Sequence, residues 1–208
     1  MSKPAATENR QPIFQSIFGE AWETLPPVMH RHYANRPYSN DQVTVEGYLD
    51  VMCRGPVKAL RPLFKLLRLM PPYNEKNVPV NVAYESAKDT REFLLARTFH
   101  FANRKPYRFC SRMFQVAGNE VVELLHFGIG WRMRYLWQDR KVILQHRGYL
   151  LNLFGLFVPL PLTPVLGVVH AEETAVDDDT FDMFVEIRHP WWGKIFGYSG
   201  RFRISGKT

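Results

Sequence analysis

Arg97 is the polar residue whose setting in this sequence points most directly to chemistry. It shares one face of a strand-like alternation with Phe93, Leu95 and Phe99. A guanidinium on an apolar face must be paired or must reach water. Glu173 is the candidate partner, because the positions that alternate with it are small or apolar. The two residues therefore predict either a buried anchor for a ligand's head group or a structural ion pair.

His146 is the second candidate. It alternates with Val142 and Leu144, and an imidazole there could act as an acid or a base near neutral pH. No nucleophile stands beside it, which favours a hydrogen-bonded core histidine. The sequence contains no GxSxG, HExxH or P-loop motif, and Cys53 and Cys110 lack zinc-ligand spacing. No catalytic residue, metal or cofactor is therefore predicted.

Residues 56–70 combine an apolar stripe with a basic stripe at helical spacing. The basic stripe consists of Lys58, Arg61, Lys65 and Arg68. Such a stripe is typical of a helix that contacts phosphate groups or anionic lipid. A helix face that is simply solvated above the core gives the same pattern.

Two apolar segments occur late in the chain. The run from Gly148 to Val169 is uncharged and could span a bilayer by length, but it contains three prolines, which oppose a helix. The favoured interpretation of this run is a strand, then an apolar loop over 150–166, and then another strand. Segment 190–197 contains Trp191 and Trp192. The two loops could pack on each other, or they could form one rim facing a membrane or a partner.

Two helical segments precede the strands that would position these residues. The first runs from Pro12 to Leu25 and ends at Pro26-Pro27. The second is the 56–70 segment, in which Pro62 must kink or restart the helix. From Val78 onward apolar residues alternate with period two, and eight or nine strands are predicted with short connections. The sequence predicts an α+β fold with a strongly curved antiparallel sheet, half-barrel or barrel-like, and two short helices in the N-terminal third. A single domain over 12–208 follows a disordered tail at 1–11.

The net charge of +7 favours acidic partners. Nucleic acid is not expected, because the aromatic residues fall on strand faces without interleaved lysine or arginine. The N-terminus has no apolar signal region, and two free cysteines suit a reducing compartment. A cytoplasmic protein, or one bound peripherally to a membrane, is therefore expected.

Several short motifs carry a family resemblance. The C-terminal third contains Gly-x-x-x-Pro-Leu from Gly155, Ala-x-Glu ending at Glu173, and Gly-x-x-x-x-Tyr-x-Gly-x-Phe from Gly193. The opening Phe-Gly-Glu-Ala-Trp-x-x-Leu-Pro-Pro begins at Phe18. From about residue 14 to 204, the chain resembles a bacterial family known as a domain of unknown function. That family occurs alone and as the C-terminal appendage of saccharopine-dehydrogenase-like proteins. The resemblance implies no reaction, and the chain lacks the GxGxxG motif of a dinucleotide site.

The preferred functional hypothesis is a non-enzymatic binder of an apolar or amphipathic small molecule, such as a lipid, inside the curved sheet. The predicted ligand-binding residues are Arg97, Phe99, Phe109, Trp131, Tyr135, Trp137, His146 and Glu173. An enzyme that transfers protons with Arg97, His146 and Glu173 is the first alternative. A membrane-peripheral or interaction module that uses the basic stripe and Trp191 with Trp192 is the second. The sequence leaves the oligomeric state open.

Overall fold

Alternating apolar residues build eleven antiparallel strands in the computed structural model, which describes residues 11–66 and 70–207. The strands are β1 (Gln42–Cys53), β2 (Glu75–Ser86), β3 (Phe93–Phe99), β4 (Tyr107–Ala117), β5 (Glu120–Leu124), β6 (Ile129–Gln138), β7 (Lys141–Leu153), β8 (Leu156–Leu160), β9 (Val168–Ala175), β10 (Thr180–His189) and β11 (Gly193–Lys207). Apart from residue 11, the predicted disordered tail lies outside the described residues, and so does Arg68 of the basic stripe.

Ten of these strands close into a barrel. The hydrogen-bonded order is β6-β5-β4-β3-β2-β1-β11-β10-β9-β7, and a further pairing of β6 with β7 completes the ring. β8 pairs with β7 as a hairpin outside the ring. Closure leaves the ring without a free edge, since each of its strands has two neighbours. The prediction of an α+β fold with a strongly curved antiparallel sheet is confirmed.

Short helices flank the first strand. They are α1 (Ile13–Phe18), a 3-10 helix (Gly19–Thr24), α2 (Pro27–His32), α3 (Gly55–Ala59) and α4 (Arg61–Leu66), with α5 (Thr163–Leu166) late in the chain and a further 3-10 turn (His126–Gly128). The helix predicted from Pro12 to Leu25 changes to 3-10 geometry at Gly19. The sequence interpretation missed α2, although a proline with preset φ at the first position starts a helix readily. The break between α3 and α4 agrees with the helix restart expected at Pro62.

The N-terminal helices close one end of the barrel. The Phe14 ring lies 4.4 Å from Tyr33 and 5.3 Å from both Phe93 and Tyr135, measured between ring centroids. Arg31 of α2 pairs with Asp179 in the connection between β9 and β10 at 2.8 Å. Apolar packing thus holds these helices over the interior, and we call this side the plugged end.

The uncharged run 148–169 forms the end of β7, β8, α5 and the start of β9. No helix within 11–66 and 70–207 is long and apolar enough to cross a membrane. The prediction of a loop over 150–166 is wrong, because the β7–β8 hairpin and the helical turn α5 occupy most of this segment. The physical reason lies outside the barrel wall, where the Phe157 ring stacks on Phe114 at 5.2 Å and β8 gains an apolar surface. Likewise, the loop predicted over 190–197 is a short turn followed by the start of β11.

Candidate functional site

A small cavity of about 70 Å³ lies inside the barrel, between the N-terminal helices and the strands. Its wall is mainly apolar and aromatic, but several polar side chains also line it. These are His32, Tyr33, Tyr84, Arg97, Glu123, Tyr135, Glu173 and Tyr198. A buried site with an apolar wall and a few convergent polar groups is the usual form of a small-molecule site.

Arg97 is paired, but with Glu123 of β5 and not with Glu173. Its Nη2 donates to Glu123 Oε1 at 2.9 Å, and its Nη1 donates to Ser111 Oγ at 3.1 Å. Ser111 Oγ in turn donates to Glu123 Oε1 at 2.5 Å, and Trp131 Nε1 donates to the second carboxylate oxygen at 2.8 Å. The guanidinium also lies 4.8 Å from the centre of the Phe109 ring. Glu123 therefore accepts from three different side chains, and the ion pair is a hydrogen-bonded network.

Burial by itself would raise the pKa of the Glu123 carboxyl. The Arg97 charge and the hydrogen bonds from Ser111, Trp131 and Arg97 outweigh burial and hold that pKa below its usual range. Glu123 is consequently a carboxylate at neutral pH, and Arg97 stays charged beside it.

A pH dependence follows from this lowered pKa. Glu123 ionises more readily in the folded chain than in the unfolded chain, so the unfolded chain binds the extra proton on acidification. The stabilisation is present above about pH 4.3, the ordinary pKa of glutamate, and is lost as the pH falls through the folded value. Urea unfolding from pH 6 to pH 3 should show a shallower pH slope for Glu123→Gln than for the native chain. Equal slopes would contradict this.

Glu173 of β9 belongs to a second polar group. It accepts a short hydrogen bond from the Tyr33 hydroxyl, and its Oε2 lies 3.5 Å from His32 Nε2. Burial, followed by the nearby Glu173 charge, raises the pKa of Tyr33 well above its ordinary value, so this phenol remains a donor. His32 is 1% exposed, and neither of its ring nitrogens has a hydrogen-bond partner among the described residues.

Five of the eight predicted ligand-binding residues line the cavity: Arg97, Phe99, Trp131, Tyr135 and Glu173. The other three, Phe109, Trp137 and His146, do not line it. Phe109 lies under the guanidinium of Arg97, and Trp137 packs at the edge of the core. The His146 ring lies 4.8 Å from the Tyr149 ring, its Nε2 is 3.3 Å from Thr163 Oγ1, and burial lowers its pKa.

Sequence reasoning missed His32, Tyr33 and Glu123. His32 ends α2 and Tyr33 follows it, and no helix is predicted there from the sequence, although a proline at the first helical position was the available signal. Glu123 was missed because four successive residues of β5, from Val121 to Leu124, are all buried. The barrel interior covers one face, and the cluster under β8 covers the other. Burial on both faces removes the alternation that identifies an inward side chain.

The predicted surface residues lie elsewhere. Lys58 and Lys65 are exposed and Arg61 is half-buried on α3 and α4, while Trp191 and Trp192 are exposed in the turn before β11. Among the residues that the structure describes, no group of three or more histidine, cysteine, aspartate or glutamate side chains could hold a metal ion.

Comparisons with known proteins identify a family but no function. No curated protein matches the chain. The dehydratase domain of the polyketide PpsC from Mycobacterium tuberculosis is similar at 7% identity, covering 91% of this chain and 84% of that chain, with a TM-score of 0.21. A variant of that domain shows 7% identity, coverages of 88% and 85%, and a TM-score of 0.19. Likeness at this level supports no conclusion about activity.

The family match extends over most of the molecule. Residues 25–202 match the model of a domain of unknown function, and this range includes all ten barrel strands up to Phe202 as well as α2. The expected bacterial source and the association with saccharopine-dehydrogenase-like proteins stay predictions. The chain belongs to the domain of unknown function family DUF4166.

Proposed function

We propose that this domain binds a small amphipathic molecule inside the barrel and catalyses no reaction on it. The observation that carries the proposal is His32, a fully buried side chain on the cavity wall. Neither ring nitrogen makes a hydrogen bond within the described chain, and Nε2 has only the 3.5 Å contact with Glu173 Oε2. Each ring nitrogen of an imidazole can donate or accept a hydrogen bond. Leaving such groups unsatisfied costs about 1–3 kcal/mol each, and a bound polar group would remove that cost.

Other polar groups could share the ligand. Burial, and then the charge of Glu173, raise the pKa values of Tyr84 and Tyr135 well above normal, so both phenols keep their protons and can donate. Glu173 could accept from a ligand, since its described hydrogen bond comes from Tyr33 alone. Around these groups the wall is aromatic, including Phe14 and Phe93. A molecule with an apolar body and one polar group that both donates and accepts fits this lining.

The cavity volume sets the size of the ligand. Sites for drug-sized molecules usually measure about 300–1,000 Å³, whereas this cavity measures about 70 Å³. It suits a compact molecule, and a full acyl chain would require the wall to move. The alternative of an enzyme using Arg97, His146 and Glu173 together is less favoured, because His146 contacts Thr163 and Tyr149 and does not line the cavity.

Filling the cavity tests the proposal. Ala171 lines the cavity and is 3% exposed, so Ala171→Leu would occupy the ligand's space. Gently purified chain should show a reproducible extra mass in native mass spectrometry, and solvent extraction should release it. We expect Ala171→Leu to lower the fraction of chain that retains the extra mass at least about tenfold. Protein interiors are close-packed, so the added side-chain volume leaves little room for a ligand.

Two variants serve as controls for this experiment. Ala83→Leu places the same side chain on the outer face of β2, and His146→Gln removes the histidine outside the cavity. Both should retain the extra mass. A native chain that carries no extra mass, together with a higher unfolding temperature for Ala171→Leu, would show that the cavity is a packing defect and would contradict the proposal.

A further inference from the structure

Large exposed apolar side chains concentrate at one end of the barrel, opposite the plugged end. This end is formed by five connections, because antiparallel strands alternate in direction around the ring. Their described residues are 54–66 with 70–74, 100–106, 125–128, 154–167 and 190–192. We call it the apolar–basic end. Its most exposed apolar side chains are Leu66, Phe127, Phe154, Leu156, Val165 and Trp191. A concentration of exposed apolar side chains is typical of a docking surface.

The charges at this end have one sign. The described residues of its five connections include six lysines and arginines and no aspartate or glutamate, namely Arg54, Lys58, Arg61, Lys65, Arg104 and Lys105. The nearest carboxylates at the strand ends are engaged, since Glu75 accepts from the Ala102 N–H and Glu186 from Arg188. The acidic turn Asp177–Asp179 lies at the plugged end. The described connections at this end therefore carry a net positive charge.

The tryptophan pair is held outward by a buried histidine. The His189 ring is 3% exposed and lies 4.1 Å from the Trp192 ring, and His189 Nδ1 accepts from the Trp191 N–H at 3.2 Å. Trp191 is nevertheless 74% exposed, and Trp192 is 57% exposed. Both exposed rings lie beside the buried His189 ring, and a contact that restricts a side chain in advance lowers the entropy lost on docking.

The other apolar groups continue the same surface. Phe154 forms the tip of the β7–β8 hairpin and is 99% exposed, while the Gly155 N–H donates to Asn152 and tightens that turn. An apolar groove connects Pro164 of α5 with Trp191. On the other side, the Arg54 N–H donates to the Ile195 carbonyl, which places α3 beside the start of β11. Apolar tips and basic helices thus share one end of the molecule.

We infer that the apolar–basic end docks on the surface of an anionic lipid bilayer. Aromatic side chains such as Trp191 and Trp192 prefer the interface between water and hydrocarbon. Lysine and arginine near that plane are attracted to anionic head groups. An acidic protein would complement the charges but would offer no fluid apolar layer for tips such as Phe154. The inference concerns the outer surface and is independent of the cavity.

Vesicle binding tests this inference with the full chain. We expect sedimentation with vesicles of phosphatidylcholine and phosphatidylglycerol in equal amounts at low salt, and little with pure phosphatidylcholine. Replacing Trp191 and Trp192 together by serine should weaken binding about tenfold or more. Exchanging Lys58 and Lys105 for glutamate should weaken it at least about 25-fold, since each basic residue near an anionic surface contributes about fivefold. High salt should release the chain.

Matched variants on the rest of the surface separate docking from damage to the fold. Tyr48→Ser removes an aromatic side chain from the barrel wall, and Val176→Ser removes an exposed apolar one near the plugged end. Lys88→Glu with Arg91→Glu makes the same charge exchange in the connection between β2 and β3. All of these should bind vesicles like the native chain, and every variant should keep the native unfolding temperature within a few degrees.

Three results would overturn the inference. Equal binding to charged and neutral vesicles would show that the positive charges play no part. Tighter binding to a random oligonucleotide than to anionic vesicles at the same salt would identify a nucleic-acid surface instead. A dimer in analytical ultracentrifugation that the tryptophan variant dissociates, without vesicle binding by the native chain, would identify a second copy as the occupant.

Discussion

Replacing Glu123 with alanine is expected to lower the free energy of unfolding by about 3–5 kcal/mol, because it leaves a buried guanidinium uncompensated. The side chains of Arg97 and Glu123 are only 12% and 7% exposed. The change also removes the acceptor for Ser111 and for the indole N–H of Trp131. Urea unfolding at pH 7 measures this loss, and the thermal midpoint should fall by roughly 2–4 °C per kcal/mol for a chain of this size.

The control for this prediction removes both charges. Arg97→Met combined with Glu123→Leu should destabilise the chain much less than Glu123→Ala alone, because an apolar pair carries no desolvation cost. The single variants Arg97→Met and Glu123→Leu complete a double-mutant cycle. The loss of the double variant minus the sum of the two single losses measures the coupling of the two side chains. A loss below about 1 kcal/mol for Glu123→Ala would mean that Arg97 reaches water and that the network is not a closed unit.

Gly200→Ala should destabilise the barrel by about 3 kcal/mol or prevent soluble folding. A Cβ atom at Gly200 would lie 1.9 Å from the carbonyl oxygen of Tyr48 on the neighbouring strand. The converse contact repeats two residues along, where a Cβ at Gly47 would lie 2.0 Å from the Arg201 carbonyl oxygen. Backbone groups cannot turn away as a flexible side chain can. The substitution must therefore separate β1 from β11, which are paired along most of their length.

Soluble yield and urea unfolding of Gly200→Ala give the measurement. Ser199→Ala is the matched control, because Ser199 is the adjacent residue on β11 and is exposed. It should change the free energy of unfolding by no more than about 0.5 kcal/mol. Native stability for Gly200→Ala would show that the two strands tolerate a wider separation than the structure records.

The proposed ligand site and the proposed docking surface lie in separate parts of the molecule. The candidate ligand site is enclosed by the barrel and the N-terminal helices, whereas the proposed docking surface consists of connections at the opposite end. Ala171→Leu should leave vesicle binding unchanged, and the tryptophan variant should leave the retained mass unchanged. The failure of either proposal can therefore be recognised without the other.

Local patterns in the sequence determined much of this protein. Period-two alternation predicted a strongly curved antiparallel sheet and assigned Arg97, Phe99, Trp131 and Tyr135 to its inner face, because side chains on a strand alternate by geometry alone. Proline positions opposed one continuous helix over 148–169 and predicted a kink or restart of the second helix at Pro62. Each of these conclusions depends on residues that are close together in the chain.

Only the tertiary structure decided which of these side chains meet. Arg97 on β3 and Glu123 on β5 are separated by one strand and form an ion pair. Glu173 on β9 accepts a hydrogen bond from the hydroxyl of Tyr33, which directly follows α2. Those contacts depend on the strand order, on closure of β6 against β7, and on where α2 docks. Alternation fixes the face on which a side chain lies, but it carries no information about which distant strand lies beside it.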